Sequence, residues 1–97
     1  MLVIARRQLC EFWAKHPDTE EPLKTWYAEA IHATWKTPQD IKSRYGSASF
    51  TGNNRVVFNI CGNKYRLVVH IKYGFETVII RFIGTHAEYD KIDAKEI

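Results

Sequence analysis

The segment from Lys64 to Lys72, KYRLVVHIK, constrains the fold of this chain more than any other segment. Residues at every second position of a β-strand point to the same side, so the segment predicts a strand with two unlike faces. One face would carry Lys64, Arg66, Val68, His70 and Lys72, and the other Tyr65, Leu67, Val69 and Ile71. Such a strand can cover a hydrophobic core and hold a polyanion at the same time.

Two further alternating runs flank this strand. In the run from Arg55 to Ile60, the side chains of Val56, Phe58 and Ile60 alternate with those of Arg55, Val57 and Asn59. In the run from Thr77 to Ile83, the pattern predicts Val78, Ile80 and Phe82 on one face and Thr77, Ile79, Arg81 and Ile83 on the other. Cys61-Gly62-Asn63 and the surroundings of Gly74 supply turn residues, so the three runs predict an antiparallel meander.

The first third of the chain predicts a short strand followed by two helices. Leu2–Ala5 is a brief apolar run, and helical spacing of apolar residues begins near Arg6 and should end at Pro17. Asp18 and Glu21 predict a capping box at the start of the second helix. We expect the apolar stripe of that helix to pack in the core, namely Leu23, Trp26, Tyr27, Ala30 and Ile31.

Two later segments carry helix-start signals. Thr37-Pro38 is a hydroxyl N-cap followed by proline at the first helical position, and predicts a short helix that ends at Gly46. Thr85 with Glu88 predicts a final helical turn after the sheet. The polar segment 47–54 between them has no periodicity and is interpreted as a loop.

Together these elements predict one α+β domain over residues 1–97. An N-terminal short strand and two to three helices would pack on one side of a small antiparallel sheet. The 97 residues are 45% hydrophobic and 13% aromatic, which is enough for a packed core. The net charge is +3 and the pI ≈ 9.0, so the position of the charges says more about a partner than their sum.

Several classes of protein are disfavoured by what the sequence lacks. Cys10 and Cys61 follow no CxxC or zinc-ligand spacing, and the four histidines show no HxH, HxxxH or HExxH pattern, so we expect no metal and no cofactor. No phosphate-binding glycine loop or nucleophile elbow occurs. The opening apolar run is too short for a signal peptide, and no run approaches the roughly 20 residues that span a bilayer, so we expect a cytoplasmic protein without membrane contact.

The polar face of the predicted meander is the first candidate site. Opposite residues of adjacent antiparallel strands lie about 5 Å apart, so Arg81 can approach Lys64 and Arg66. Lys64 and Lys72 lie about 26 Å apart along the strand, so one phosphate cannot meet the whole row. Lys64, Arg66 and Arg81 would bind one phosphate. His70 and Lys72 would bind neighbouring phosphates or form part of a plain solvated face.

His86 and Tyr89 form the second candidate site. They lie three apart at a strand-to-helix junction and would share one helical face. RNA can be cleaved when a base takes the 2′-OH proton, cations stabilise the pentavalent phosphorane and an acid protonates the leaving 5′ oxygen. Imidazole is suited to such proton transfer near neutral pH. A histidine that only pairs with a local carboxylate, such as Asp90, is the alternative.

The stretches NICGNKYRLVVHIKY (Asn59 to Tyr73) and IRFIGTHAEYD (Ile80 to Asp90), with WKTPQDIKSRY upstream, resemble the HigB-type toxins, a branch of the RelE-like mRNA interferases. The resemblance implies the toxin of a type II toxin–antitoxin pair, which cuts mRNA on the ribosome. It also implies a HigA-like antitoxin with a helix-turn-helix domain. Only this antitoxin, and not the toxin itself, would contact operator DNA. The functional positions that the resemblance implies are Asn59, Asn63, Lys64, Arg66, Arg81, His86 and Tyr89.

We therefore expect His86 to be a general acid or base, with Tyr89 orienting the RNA. Lys64, Arg66 and Arg81 would bind the reacting phosphate, and further RNA contacts would come from Asn59, Asn63, His70 and Lys72. Whether His86, Tyr89 or Lys64 is the base stays open. Two other functions fit the same residues: a non-catalytic RNA- or ribosome-binding module, and a basic face that docks an acidic protein.

Overall fold

A five-stranded sheet forms the centre of the computed structural model, which describes residues 1–97. The strands are β1 (Leu2–Ile4), β2 (Ser49–Gly52), β3 (Arg55–Ile60), β4 (Tyr65–Lys72) and β5 (Thr77–Thr85). The helices are α1 (Arg6–Lys15), α2 (Glu20–His32), α3 (Pro38–Arg44) and α4 (His86–Tyr89), with short 3-10 turns at Pro17–Thr19 and Tyr73–Phe75. The spatial order is β1-β5-β4-β3-β2, and β1–β5 is the one parallel pair. The architecture is α+β, as predicted.

The sheet is larger than the three-stranded meander that the sequence predicts. That meander is present as β3-β4-β5, and β1 adds a parallel strand beside β5. The prediction of a loop over residues 47–54 is wrong, because β2 pairs with β3 and forms an edge of the sheet. The residues of β2 are mostly exposed, so the strand has no buried face and lacks the alternation that marks one.

The first three helices pack on one side of the sheet, which we call the helix-covered face. Leu23, Trp26 and Ala30 of α2 are buried there, as predicted, and Tyr27 is half-buried against the core. The prediction is wrong for Ile31, which is exposed. From the sheet, the main core receives Val56, Phe58, Ile60, Tyr65, Leu67, Val69, Ile71, Val78 and Ile80. Removal of this apolar surface from water is the main stabilising contribution to the fold. None of the helices combines the length and the apolar character that crossing a bilayer requires.

Two of the three predicted capping signals are present. Thr37 and Thr85 each accept a hydrogen bond from the backbone N–H three residues later, within complete capping boxes. The capping box predicted for Asp18 and Glu21 is wrong, because the N-terminus of α2 has no side-chain cap. The carboxylate of Asp18 binds Lys64 instead.

A β-bulge at Arg81 changes which side chains of β5 face the main core. Val68 pairs with Phe82 and the next residue of β4 pairs with Ile80, so Arg81 has no partner in the ladder. The prediction that Phe82 shares a face with Ile80 is therefore wrong. Phe82 packs with Val68 on the other side of the sheet, and Ile83 packs against the main core, because one extra residue reverses the alternation beyond it.

The side of the sheet away from the helices, which we call the opposite face, is partly covered by the final residues of the chain. A small apolar cluster lies there, consisting of Val57, Val68, Phe82, Tyr89, Ile92, Ala94 and Ile97. The guanidinium of Arg55 donates to the backbone oxygen of Ile97, and Asn53 Nδ2 donates to the carbonyl of Lys95 at 3.1 Å. The segment after α4 thus holds a second, smaller core in place.

Candidate functional site

Three rows of side chains cross β3, β4 and β5 on the opposite face. The ladder neighbours are Asn59, Arg66 and Gly84 in the first row, Val57, Val68 and Phe82 in the second, and Arg55, His70 and Ile79 in the third. The apolar second row divides the polar side chains into two groups. We call Asn59, Asn63, Arg66, His86 and Tyr89 the turn-end cluster, and Arg55, His70, Lys72 and Arg81 the far-end cluster.

Arg66 is the most deeply buried cation of the chain, with 8% of its surface exposed. Its Nη1 donates to the carbonyls of Asn63 at 3.1 Å and Tyr65 at 3.2 Å, and its Nη2 donates to Asn63 Oδ1 at 3.1 Å. All three acceptors are neutral, and Arg66 takes part in no salt bridge. Burying a cation without a counter-ion is costly, and the guanidinium fork matches phosphate geometry. The guanidinium of Arg66 therefore has the charge and the geometry to bind an anion.

Tyr89 and Gly84 shape the surroundings of this guanidinium. Arg66 Cζ lies 5.9 Å from the centroid of the Tyr89 ring, within the range of a cation–π contact. Gly84 is the ladder neighbour of Arg66 on β5. A Cβ on Gly84 would lie 2.6 Å from Phe82 Cζ and 2.9 Å from Glu88 Oε1, so a larger residue would displace both side chains.

His86 lies at the edge of the turn-end cluster, at the start of α4. Its backbone N–H donates to the carbonyl of Lys64 at 3.0 Å, which ties α4 to the turn before β4. Its Nδ1 lies 3.3 Å from Asp90 Oδ2, and its side chain is 52% exposed. The pairing with Asp90 that was the alternative interpretation is thus present. A carboxylate at Nδ1 orients the ring and leaves Nε2, which has no protein partner, able to accept or donate a proton.

The alternation predicts that the side chain of Lys64 lies beside that of Arg66. In the structure it does not. Lys64 precedes β4, and its Nζ lies 2.8 Å from Asp18 Oδ2, while the Tyr65 hydroxyl donates to the same carboxylate at 3.1 Å. The hydrogen bond from Lys64 lowers the pKa of Asp18, and the same bond raises the pKa of Lys64. The predicted triad of Lys64, Arg66 and Arg81 is therefore not assembled in this structure.

In the far-end cluster, the positive charges lie close enough to His70 to change its pKa. Burial lowers the pKa of His70, and the charges of Arg55, Lys72 and Arg81 lower it further. Arg81 lies in the bulge three residues before Gly84, which places its backbone about 10 Å along β5 from the Arg66 row. The charge of Arg81 therefore acts on His70, and the apolar second row separates both residues from Arg66.

A cleft of about 430 Å³ opens next to Tyr89 on the opposite face. Thr51, Asp90 and Lys95 also line it. The Thr51 hydroxyl is buried without a hydrogen-bond partner. The cleft offers an aromatic ring and polar groups, which is the combination that proteins use to bind an unstacked RNA base.

Of the residues singled out in the sequence, Asn59, Asn63 and Tyr89 neighbour Arg66, and His86 is tied through its backbone to Lys64 at the edge of the same cluster. The structure places Lys64 with Asp18, and Arg81 with His70 and Lys72. Asp18 was missed as a partner, because it lies 46 positions before Lys64 and no local pattern joins the two. Nowhere do three or more histidine, cysteine, aspartate or glutamate side chains come together in a group that could hold a metal ion.

Comparisons with known proteins identify the family. The model of the HigB toxin family, described as the RelE-like toxic component of a toxin–antitoxin system, matches residues 19–92. The chain belongs to the HigB toxin family. It is also similar to the mRNA interferase HigB of Escherichia coli O6:H1 (strain CFT073), with 24% identity over 94 residues, which cover 95% of this chain and 91% of that relative.

Family membership confirms the resemblance that the sequence motifs indicate. The matched residues include β2 to β5 and every member of the turn-end and far-end clusters. The α+β fold, with its mostly antiparallel sheet, is consistent with a RelE-like toxin. Membership also implies a cognate antitoxin as a partner of this chain.

Proposed function

We propose that the chain is an endoribonuclease toxin that cleaves mRNA on the translating ribosome, in the cytoplasm, without a metal ion. The observation that carries the proposal is Arg66, a buried guanidinium whose protein partners are all neutral. Beside it lie a tyrosine ring and, at the edge, a histidine with a free nitrogen. The name of the relative, mRNA interferase, supplies the substrate class.

The proposed reaction uses the nucleophile that RNA itself carries. The 2′ oxygen attacks the adjacent phosphorus, the bond from phosphorus to the 5′ oxygen breaks, and the products are a 2′,3′-cyclic phosphate and a 5′-hydroxyl. A base removes the 2′-OH proton and an acid protonates the 5′ oxygen. His86 Nε2 performs one of these transfers, while Asp90 holds the ring. Arg66 stabilises the charge that develops on the phosphate oxygens.

The remaining predicted residues take supporting roles in this proposal. Tyr89 orients the RNA by stacking on a base at the mouth of the adjacent cleft. Asn63 acts on RNA mainly through Arg66, since its side-chain oxygen accepts from that guanidinium. Lys64 can approach the phosphate only after it leaves Asp18.

The far-end cluster binds the RNA strand outside the reacting position. Arg81, His70 and Lys72 lie beyond the apolar row, so they would meet phosphates that neighbour the one held by Arg66. Asn59, the ladder neighbour of Arg66, would contact RNA at the turn end.

The chemistry of the new RNA ends tests this proposal. Purified toxin is incubated with ribosomes translating a defined mRNA, and the fragments are mapped by primer extension. We expect 5′-hydroxyl ends and 2′,3′-cyclic phosphates, and no cleavage where the attacking nucleotide is 2′-deoxy. Ends carrying a 5′-phosphate and a 3′-hydroxyl would contradict the proposal, because they arise from attack by water, commonly metal-activated.

The same experiment separates the enzyme from the non-catalytic RNA- or ribosome-binding module. Such a module would arrest growth on expression and reduce translation without producing new mRNA ends. The partly free guanidinium of Arg66 and the basic far-end cluster would serve RNA binding equally well. Cleavage at defined positions, lost when His86 is replaced, would support the enzyme.

A further inference from the structure

A second recess lies on the helix-covered side, between α2 and the end of β3. Its volume is about 390 Å³, and we call it the α2 pocket. Its apolar lining comes from Trp26, Phe58 and Ile60, and α2 adds Glu21, Thr25 and Glu29. Neither the guanidinium of Arg66 nor the imidazole of His86 lines this pocket. Asn59 of the turn-end cluster does line it, so the pocket borders the proposed RNA site, but the groups that would hold and cleave the phosphate lie outside it.

A buried hydrogen-bond donor without an acceptor belongs to the wall of the α2 pocket. Trp26 is 2% exposed, and its indole N–H has no partner. An indole N–H can only donate, and buried indoles normally find an acceptor. The Tyr45 hydroxyl, on the same pocket, also lacks a hydrogen bond of normal geometry. Burial and the nearby charge of Glu29 raise the pKa of Tyr45, so its hydroxyl stays protonated and able to donate.

Carboxylates surround this apolar lining. Glu21 is exposed and takes part in no salt bridge, whereas Glu29 is paired with Arg44. Because Glu21 is exposed and has no salt bridge, a cationic side chain of a partner can pair with it. The pocket therefore fits a peptide that carries one apolar and one basic side chain.

We propose that the α2 pocket binds a segment of the cognate antitoxin. An apolar side chain of that segment fills the space against Trp26 and Phe58, and a lysine or arginine lies beside Glu21. Burial of apolar surface and charge complementarity would both favour this occupant. The inference rests on family membership, which implies an antitoxin, and it is independent of the RNA chemistry.

Two pairs of variants on the full-length toxin test the pocket. Thr25→Trp fills the pocket, and Ala28→Trp places the same side chain at an exposed position of α2 that does not line it. Glu21→Lys reverses the free charge, and Glu96→Lys makes the same change at an exposed glutamate that has no salt bridge. Each protein is titrated with the purified cognate antitoxin by calorimetry, after thermal melting has shown that it is folded.

We expect Thr25→Trp to weaken antitoxin binding about tenfold or more, because a central clash removes the best-buried contact. Glu21→Lys should weaken it about threefold or more, with a larger effect at low salt. Ala28→Trp and Glu96→Lys should bind within about twofold of the wild-type toxin. Wild-type affinity in both pocket variants, or an effect only on association between toxin chains, would overturn the proposal.

An NMR measurement follows the Trp26 side chain, which lines the pocket. In ¹⁵N-labelled toxin the indole N–H signals belong to Trp13, Trp26 and Trp35, and Trp26→Phe identifies the relevant one. Antitoxin binding should shift the Trp26 signal more than the other two. An unmoved Trp26 signal at saturation would also overturn the proposal. Neither readout depends on RNA cleavage, so failure of the proposed ribonuclease activity would leave both interpretable.

Discussion

The two cationic clusters of the opposite face differ in how their charges are held. At the turn end, Arg66 is buried, fixed by three hydrogen bonds to neutral acceptors and backed by Tyr89. At the far end, Lys72 and Arg81 are exposed, and their charges lower the pKa of a neighbouring histidine. The apolar row of Val57, Val68 and Phe82 separates the two.

This difference assigns different tasks to similar residues. A fixed guanidinium can stabilise charge at one defined position without reorganising, which catalysis needs. Exposed cations on flexible side chains attract a phosphate backbone over a range of positions. We therefore expect substitutions at the turn end to change the cleavage rate, and substitutions at the far end to change RNA binding and its salt dependence.

Among the lysine and arginine substitutions, the largest expected effect comes from Arg66→Lys, compared with Arg81→Lys as its matched control. Both changes preserve charge, but a lysine ammonium cannot reproduce the planar fork of hydrogen bonds. We expect Arg66→Lys to slow mRNA cleavage on ribosomes about 100-fold or more, and Arg81→Lys to slow it less than about threefold. Thermal melting of both variants accompanies the rates. Equal losses in the two folded variants would remove the distinction between the clusters.

Next in size is Gly84→Ala, which tests the close packing around Arg66. The new Cβ would meet the Phe82 ring and the Glu88 carboxylate, and would disturb the capping box of α4. We expect a loss of about 1–3 kcal/mol in the free energy of unfolding, measured by urea denaturation. Gly46→Ala, where nothing lies within 4 Å of the added Cβ, should change stability by less than about 1 kcal/mol. A neutral Gly84→Ala variant would show that the surroundings of Gly84 can accommodate a Cβ, and would contradict the close packing around Arg66.

A smaller effect is expected from Lys72→Gln and Arg81→Gln at the far end. Each should weaken the binding of single-stranded RNA only a few-fold, and reduce the slope of log Kd against log salt by about 0.7 per charge removed. Fluorescence anisotropy over a series of salt concentrations measures both quantities. An unchanged slope in the double variant would mean that the far-end cluster does not contact phosphates.

The smallest expected effect is a pH dependence of stability at His70. Because burial and the neighbouring cations lower its pKa, the unfolded chain binds a proton at higher pH than the folded protein does. The contribution of His70 to stability is therefore complete above about pH 6.5, and is lost as the pH falls through the folded-state pKa. Below pH 6.5, the denaturation midpoint of His70→Gln should change less with pH than that of the wild-type protein. The midpoint of the variant His32→Gln, at an exposed position, should change with pH as the wild type does. The same pH dependence of the midpoint in both variants would contradict this account.

Local signals in the sequence predicted the elements that local chemistry determines. The hydroxyl caps at Thr37 and Thr85 and the turn at Cys61-Gly62-Asn63 need only a few neighbouring residues, and all three are present. Strict alternation likewise predicted the core side of β3 and β4, since burial of one face repeats with the period of the strand.

The features that the sequence did not predict depend on partners far along the chain. Strand β2 is an exposed edge without a buried face, and the Arg81 bulge lies in a run whose apolar residues fit either side of the sheet. The ion pair of Asp18 with Lys64 joins two turns and leaves no pattern in either. Distance along β4 already separated His70 and Lys72 from Arg66, but the placement of Arg81 on their side of the apolar row required the register of β5.

The comparison is tested most directly by the two histidines, one in each cluster. His86→Gln and His70→Gln are prepared in parallel, and their mRNA cleavage rates on ribosomes are measured by primer extension at pH 7. We predict that His86→Gln loses about 10²- to 10⁴-fold in rate, because proton transfer at Nε2 is removed, while His70→Gln stays within about threefold of wild type. Full activity in His86→Gln, or a comparable loss in His70→Gln, would contradict the assignment of catalysis to the turn end.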